Sequence, residues 1–211
     1  MSSASTRSAP SYPLTLPAIK MKRRLLSWSI LLTLTATSVH GQTSSYLTGS
    51  KENNFNDSLQ SPLFNAVDIK GDSIILNHYL GKVVVLNFWY TLCVPCIAEI
   101  PDLNYLVNKY KDKEVIFVAI TQDSKQQVQT FFEKKNTTFL YLQVTDGADI
   151  IKQYVNAPLK AKGFDEYAFT DIRPANIIID KSGLVNKYFF GGLGGHINIL
   201  ENNIEKILNE K

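Results

Sequence analysis

Residues 83–101 read VVVLNFWYTLCVPCIAEIP, and this stretch decides the fold. Its first part, residues 83–88, is a nearly continuous run of β-branched, apolar and aromatic side chains, which is typical of a central strand covered on both faces. Pro101 lies in a helical pattern of apolar residues that follows, and it predicts a kink there. The members of that pattern are Cys96, Ile100, Leu103, Val107 and Tyr110. A second apolar run follows at 115–120, so strand, helix and strand predict a βαβ unit with parallel pairing.

The pattern downstream of this unit continues to alternate between helix and strand. We predict a helix over residues 125–135, a strand over 140–144 and a short helix over 148–155. Residues 156–173 are less regular, and they are a candidate substrate-facing insertion.

Two hairpins and a last helix complete the domain. Apolar runs at 176–179 and 184–190 flank a glycine-containing turn, which predicts a hairpin. The runs at 63–68 and 73–76 predict another, and helical spacing from Ile197 to Leu208 predicts the final helix. A βαβ half followed by a ββα half is the plan of the thioredoxin fold. We therefore expect an α/β domain with a central mixed β-sheet, flanking helices and an N-terminal β-hairpin addition.

The first 41 residues have the layout of a secretory signal peptide. A cationic patch precedes an apolar stretch at residues 25–39, and small residues lead to Gly41. Met21 stands directly before the patch, so residues 1–20 are a candidate upstream extension from a misplaced start. We expect cleavage after Gly41, with an uncleaved membrane anchor as the alternative. Both place the domain outside the cytoplasm, in the periplasm or cell envelope.

Composition favours one packed domain and argues against a nucleic-acid binder. With 211 residues, 45% of them hydrophobic, the chain has room for a single core plus an appended segment. Removing the five cations of residues 1–41 from the 22 basic residues leaves 17 against 19 acidic ones, so the remainder has no basic excess for phosphates. The polar residues 42–60 predict a flexible lead-in. The folded domain is expected over residues 61–211.

The only two cysteines of the chain, Cys93 and Cys96, fall where the predicted central strand meets the helix. Cys93 is expected to be an exposed nucleophile, because unpaired N–H groups and the helix dipole lower the pKa of a thiol just before a helix. Cys96, one turn inside, is expected to be more shielded and to resolve the mixed disulfide. Pro95 is tolerated in the first turn and fixes the loop. We interpret the pair as a redox-active disulfide, with no metal or other cofactor.

Two other interpretations of the cysteine pair stay open. A zinc site needs about four ligands, and beyond the leader the sequence adds only His78 and His196, which have no metal-ligand spacing. A purely structural disulfide is the second, although so short a loop constrains the unfolded chain little.

Residues 87–101 resemble the active-site stretch of TlpA- and ResA-like thioredoxins, and Gly81, Lys82 and Pro174 also match the spacing of that family. The resemblance covers residues 61–211. It implies an extracytoplasmic thiol-disulfide oxidoreductase that reduces disulfides of envelope proteins, including those of apocytochromes during c-type cytochrome maturation. It also implies protein disulfide substrates and an upstream membrane electron donor as partners.

The same resemblance assigns roles near the cysteines. Pro174 corresponds to a cis-proline that lies against the pair and binds extended substrate, with Trp89 and Pro95 as further candidate substrate contacts. Glu99 corresponds to a glutamate that borders the active site and influences thiol protonation, whereas by position alone it is equally a solvated helix residue. Arg173 replaces a small or apolar residue. We expect it beside the reactive sulfur, where it lowers the pKa of the thiol or selects acidic substrates.

Further departures from the family pattern bear on mechanism. Leu92 stands where many members have tryptophan. Asn87 stands where thioredoxins proper have a buried aspartate, so Glu99 is the nearest candidate to accept a proton from the resolving thiol. The dipeptide between the cysteines, Val94 and Pro95, lacks the histidine of strong oxidants, which favours a reductase.

Two functions from other classes compete with this prediction. A thiol peroxidase of the peroxiredoxin type needs a threonine three residues before its cysteine, whereas Thr91 lies two before Cys93. A non-catalytic binding module of the same fold has no use for an intact cysteine pair.

Overall fold

A seven-stranded sheet organises the part of the chain that is described. The computed structural model describes residues 51–53, 59–161, 172–194 and 197–210. The predicted leader lies outside these residues. The strands are β1 (Lys51–Asn53), β2 (Leu59–Gln60), β3 (Asn65–Val67), β4 (Ser73–Ile75), β5 (Val83–Trp89), β6 (Val115–Thr121), β7 (Leu142–Val144), β8 (Ala175–Ile179) and β9 (Leu184–Phe190). The α-helices are α1 (Val94–Tyr110), α2 (Lys125–Lys135), α3 (Ala148–Ile151), α4 (Ala157–Ala161) and α5 (Ile197–Asn209).

The sheet is mixed, as the order of elements predicts. Its strands lie in the order β1, β9, β8, β5, β6, β7, and β2 also pairs with β9. The pairs β5 with β6 and β6 with β7 are parallel, whereas β8 runs antiparallel to β5 and to β9. A βαβ unit followed by a ββα unit is therefore the observed connectivity.

The central strand β5 is buried along its whole length. Because successive side chains of a strand face opposite sides, β5 supports two cores. Val84, Leu86 and Phe88 pack on the side of the helical segment that runs from α3 to α4. Val83 and Val85 pack on the side of α1 and α5. This two-sided burial holds the end of β5, where the cysteines follow, in a fixed place.

The predicted N-terminal hairpin is present as a two-stranded sheet of its own, formed by β3 and β4. The Asp68 carboxylate accepts hydrogen bonds from the backbone of Lys70 and Asp72 at 2.8 and 2.9 Å and so closes the turn. Gly71 has a φ of +103°, which disfavours residues with a side chain. Asp68 also forms an antiparallel bridge to Val144, which connects the hairpin to β7.

The prediction of a flexible lead-in over residues 42–60 is wrong where the structure describes that segment. Lys51–Asn53 and Leu59–Gln60 both pair antiparallel with β9. The sequence gives little sign of this because the pairing joins backbone groups, and the outer edge of β9 otherwise leaves its N–H and C=O groups without strand partners.

The helical region after β7 is longer than predicted. Instead of ending at residue 155, it continues through a π-helical turn, Lys152–Asn156, into α4. Tyr154, Val155 and Leu159 are all buried, so apolar packing stabilises the helical segment although it contains Pro158. Residues 157–161 of the predicted irregular insertion are thus helical, and residues 162–171 lie outside the described part.

Candidate active site

The cysteine pair lies where β5 passes into α1. Cys93 is the N-cap residue of α1, with an extended backbone, and it is joined to Cys96 by a disulfide with a Cα–Cα distance of 5.2 Å. The backbone N–H of Cys96 donates to Cys93 Sγ at 3.2 Å. Pro95 lies in the first turn of the helix, as predicted. The strand-to-helix position of the pair is therefore confirmed.

This geometry explains how the first sulfur becomes reactive. The first N–H groups of a helix have no intrahelical acceptor, and their dipoles favour negative charge. One of these groups already donates to Cys93 Sγ in the disulfide. A donor in this position favours negative charge on the sulfur that accepts its hydrogen bond.

The exposure of the sulfurs differs from prediction. Cys93 and Cys96 are each only 2% exposed, so the expected exposed nucleophile is not exposed in the disulfide form. The reason is the cap itself, which turns the Cys93 side chain inward toward the first helical turn. Its neighbours point outward instead, because Leu92 is 83% and Val94 is 76% exposed.

A carboxylate that follows the neighbouring strand β6 anchors the turn before the cysteines. Asp123 Oδ2 accepts a hydrogen bond from the backbone N–H of Thr91 at 2.7 Å. The backbone N–H of Cys93 donates to the carbonyl of Tyr90 at 3.0 Å. Sequence reasoning missed Asp123, although a signal existed: β5 and β6 are parallel, so residues after both strands meet at one edge of the sheet. Trp89 pairs with Thr121, two residues before Asp123.

Glu99 is a buried residue of the site. It is 3% exposed, which excludes the alternative of a solvated helix glutamate. Its Oε1 accepts a hydrogen bond from the backbone N–H of Leu193, and its Oε2 accepts one from Asn176 Nδ2 at 3.3 Å. Burial raises the pKa of Glu99 to about 7; the two hydrogen bonds lower it, and the charge of Asp102 raises it. Glu99 therefore changes its protonation state near neutral pH, one helical turn after Cys96.

A pair of amides stands behind Glu99. Asn87 on β5 and Asn176 on β8 are directly opposite each other across the antiparallel ladder. Asn87 Nδ2 donates to Asn176 Oδ1 at 2.9 Å. Asn87 is 2% exposed and Asn176 is fully buried. The family comparison made from the sequence noted Asn87, but it gave no sign of Asn176.

The glycine-rich segment after β9 belongs to the site as well. Gly192 comes so close to the first turn of α1 that a Cβ on it would lie 3.3 Å from Pro95 Cβ and 3.9 Å from Glu99 Oε1. Gly191 has a φ of +84°, and Leu193 is fully buried. Absence of a side chain at position 192 thus lets this segment pack against the first turn of α1. His196 lies outside the described residues.

Pro174 and Arg173 lie at the start of β8. The Arg173–Pro174 peptide bond is cis, as the resemblance implies. The carbonyl of Pro174 accepts a hydrogen bond from Gly191 at 2.9 Å, so this carbonyl pairs within the protein. The Arg173 guanidinium lies 4.9 Å from the centre of the Tyr90 ring, in the turn that precedes Cys93. Arg173 is therefore near the site through Tyr90, and a position beside the sulfur stays a prediction.

Trp89 has a different place from the predicted one. It is fully buried, so a role as substrate contact does not fit this geometry. Its ring lies 4.8 Å from Phe139 and 5.5 Å from Phe131, measured between ring centres. Both cysteines belong to the same apolar cluster. Trp89 therefore supports the disulfide from the interior, whereas Pro95 is exposed beside it.

Residues 51–53, 59–161, 172–194 and 197–210 contain no group of three or more histidine, cysteine, aspartate or glutamate side chains that is placed to hold a metal ion. Within the same ranges, every helix is too short or too polar to cross a membrane.

A cysteine pair at the start of a helix, a cis-proline directly before β8 and a mixed sheet of this topology define the class of thioredoxin-fold thiol-disulfide oxidoreductases. Comparison with known proteins agrees, since residues 59–188 match the model of the AhpC/TSA family. The thiol-disulfide oxidoreductase ResA of Bacillus cereus is 32% identical over 165 residues, which are 78% of this chain and 87% of that protein. The chain belongs to the AhpC/TSA family and is a TlpA/ResA-like thioredoxin-family protein.

Solved structures show the same fold. The thioredoxin domain of a thiol-disulfide oxidoreductase from Bacteroides vulgatus is 25% identical with a TM-score of 0.53, covering 72% of this chain and 97% of that one. A thiol:disulfide interchange protein from Chlorobium tepidum is 20% identical with a TM-score of 0.58, covering 72% and 97%. The thioredoxin-like fold expected from the sequence is confirmed, and so is the enzyme class.

Proposed function

We propose that this chain is an extracytoplasmic reductase of protein disulfides that cycles between a Cys93/Cys96 dithiol and disulfide. The observation that carries the proposal is the hydrogen bond from the N–H of Cys96 to Cys93 Sγ at the start of α1. A donor fixed on the first sulfur favours its thiolate, which is the attacking species in thiol-disulfide exchange.

The first half of the reaction joins enzyme and substrate. In the reduced enzyme, the Cys93 thiolate attacks one sulfur of a substrate disulfide and forms a mixed disulfide. The substrate S–S bond breaks, and the first substrate sulfur leaves as a thiolate that takes a proton. Cys96 keeps its proton through this step, because both sulfurs are buried but the helix-start N–H that favours a thiolate points at Cys93 Sγ and not at Cys96.

The second half releases the substrate. Cys96 loses its proton to the Glu99 carboxylate and attacks Cys93 Sγ, which forms the Cys93–Cys96 disulfide and breaks the mixed one. The second substrate thiolate leaves and takes a proton, so two electrons and two protons pass to the substrate. Glu99 suits this role because burial brings its pKa to about 7, which lets it accept and return a proton near neutral pH.

The surface around the disulfide indicates the kind of substrate. Leu92, Val94 and Pro95 are exposed next to two buried sulfurs. Exposed apolar side chains beside a reactive group favour docking of apolar polypeptide segments. We propose that the substrate is an unfolded or extended protein segment whose disulfide is presented to Cys93 by this surface, with Arg173 and the cis-proline Pro174 at its border.

The location and the partners follow from the leader and the family. A signal-peptide pattern supports a location in the periplasm or cell envelope, with the domain either released or held by an uncleaved leader. Each cycle leaves the Cys93–Cys96 disulfide, so the enzyme needs a dithiol donor that reduces it again, and a membrane protein is the donor that the resemblance suggests. Apocytochromes awaiting haem attachment are the substrates that the resemblance suggests. The electron flow is reductive because Val94 and Pro95 add no donor that stabilises the reduced form.

The experiment that tests this function traps the mixed disulfide. In Cys96→Ser the attack by Cys93 proceeds but release does not, so substrates stay covalently attached and are identified by mass spectrometry. Cys93→Ser is the matched control and should trap none. Recovery of envelope proteins, together with insulin reduction by the wild-type protein, supports the proposal. Absence of both, or peroxide consumption at a rate above that of insulin reduction, contradicts it.

A further inference from the structure

We propose that Asn176 is a positioning residue that, through its pairing with Asn87, presents Glu99 with a hydrogen-bond donor when the carboxyl is ionised and with an acceptor when it is protonated. This inference rests on the proposed role of Glu99 in proton transfer. It assigns Asn87 on β5 and Asn176 on β8 a role in proton transfer at Glu99, which their burial alone does not explain.

The three side chains form one buried chain of hydrogen bonds. Asn87 Nδ2 donates to Asn176 Oδ1 at 2.9 Å, and Asn176 Nδ2 donates to Glu99 Oε2 at 3.3 Å. None of the three residues is more than 3% exposed. Water therefore has little access to compete for these bonds, and the partners of Glu99 are set by the protein.

The observed arrangement suits the ionised carboxylate. An ionised carboxylate only accepts hydrogen bonds, and both Glu99 oxygens face N–H donors, from Leu193 and from Asn176. A protonated carboxyl needs an acceptor for its O–H. With the amides as observed, that O–H would face the donor of Asn176 and lose its hydrogen bond.

One unpaired atom in the same network supplies the alternative. Asn87 Oδ1 is buried and has no hydrogen-bond partner among the described residues. If both amides turn by half a rotation, Asn176 Oδ1 accepts from the Glu99 O–H, and Asn176 Nδ2 donates to Asn87 Oδ1. The O and NH₂ ends of an amide are nearly equal in size, so the rotation leaves the packing unchanged. Each protonation state then has two hydrogen bonds in the chain.

Other groups near Glu99 do not supply this exchange. Asp102, on the same helix, raises the pKa of Glu99 by its charge. Tyr141, which lies directly before β7, has its own pKa raised by burial and by Glu99, so it stays neutral, and its hydroxyl makes no hydrogen bond to Glu99 among the described contacts. Leu193 contributes a backbone N–H, which only donates. Only the amide pair offers both a donor and an acceptor that the described contacts place at Glu99.

The test compares Asn176→Leu with wild type and with a matched control, Asn203→Leu. Asn203 also makes an amide hydrogen bond, Nδ2 to the carbonyl of Ile199 at 2.8 Å, but on α5. The proton affinity of Glu99 is followed by infrared spectroscopy of its C=O stretch, with Glu99→Gln as the blank. We expect about a tenfold higher proton affinity in Asn176→Leu, because the charge-assisted hydrogen bond that the carboxylate loses is stronger than the neutral one that the protonated form loses. The limb of the pH profile of insulin reduction that Glu99 controls should shift upward with it.

The variant Asn87→Leu tests whether the pair of amides, rather than Asn176 alone, sets the proton affinity of Glu99. There Asn176 still serves both states of Glu99, so the proton affinity should change less than in Asn176→Leu. In the labelled wild-type protein, the side-chain amide NMR signals of both asparagines should titrate with Glu99, and Glu99→Gln should abolish this. This measurement needs no folded variant of Asn176.

The outcomes distinguish this inference from the proposed function. If the wild-type protein fails to reduce insulin, the proposed function fails, whatever the amides do. If it reduces insulin but the amide signals of Asn87 do not follow Glu99, or Asn176→Leu matches Asn203→Leu in proton affinity and pH profile, the positioning role is overturned alone.

Discussion

The backbone N–H of Cys96 points at Cys93 Sγ across 3.2 Å, so the second cysteine holds the sulfur of the first through its main chain as well as through the disulfide. The N-cap residue of a helix is normally a serine, threonine or aspartate, whose side-chain oxygen accepts a hydrogen bond from a backbone N–H of the first turn. Here a cysteine occupies the cap, and the bond that stabilises the helix end is also the bond that we propose activates the nucleophile. Stability of α1 and reactivity of the site therefore depend on the same contact.

Replacing Glu99 by glutamine should slow disulfide reduction at neutral pH about a hundredfold, because the resolving thiol loses its proton acceptor. The pH profile should lose the limb near 7 that the raised pKa of Glu99 produces. Insulin reduction measured across pH in both proteins tests this. Equal profiles would rule out Glu99 as the proton acceptor.

The raised pKa of Glu99 also predicts how stability depends on pH. Burial holds the pKa of Glu99 in the folded state at about 7, above the ordinary value of 4.5 for a glutamate, so the folded state binds the proton more tightly than the unfolded state. The resulting stability is fully present below about 4.5 and is lost as pH rises to about 7. The loss amounts to about 3 kcal/mol. Urea unfolding of wild type should show this decline, and Glu99→Gln should show a flatter one. Parallel declines in the two proteins would contradict the assignment to Glu99.

Asp123→Ala should loosen the turn that presents the cysteines. It removes the acceptor of the Thr91 N–H and should lower the free energy of unfolding by about 1 to 2 kcal/mol. Insulin reduction should slow as well, since the turn positions Cys93. Asp149→Ala, an exposed aspartate in the first turn of α3, is the control. Equal activity and stability in both variants would show that Asp123 does not hold the turn.

Leu92→Ser should weaken binding of protein substrates without changing the chemistry at sulfur. Leu92 is 83% exposed beside the disulfide, so the substitution removes apolar docking surface and leaves the core intact. We expect KM for insulin to rise several-fold, while the rate with a small disulfide such as oxidised glutathione stays the same. Leu140→Ser, at a residue that is 53% exposed, controls for lost surface apolarity elsewhere. A change of equal size for both disulfides would contradict a docking role.

The sequence predicted those strands and helices in which apolar residues recur at a regular spacing. The run at residues 83–88 and the helix over 125–135 were found because burial on both faces or on one face leaves a regular pattern. Pairing of Lys51–Asn53 with β9 left no such pattern, because backbone groups make it. In the active site, the sequence predicted that the cysteine pair lies where the central strand meets the start of a helix, and the structure confirms this position. The sequence did not predict that Trp89 is buried, because a tryptophan next to the cysteine motif can pack into the core or face a substrate, and the sequence does not distinguish the two.

The contacts of Glu99 were beyond the sequence for a related reason. Leu193 and Asn176 lie 94 and 77 residues away along the chain and meet Glu99 only through the topology of the sheet. In the same way, the sequence shows that Gly192 has no side chain, but it does not show that Pro95 and Glu99 lie against this glycine. The resemblance placed Glu99 at the border of the site, and the fold was needed to supply its partners.

The most direct test of the account measures the alkylation rate of each cysteine against pH in the fully reduced protein, resolved by mass spectrometry. The account predicts that Cys93 reacts first, with an apparent pKa below the value of about 8.5 of an ordinary cysteine, and that Cys96 reacts more slowly and at higher pH. If Cys93 titrates as an ordinary thiol, or Cys96 reacts first, the helix start does not activate the nucleophile and the account is contradicted.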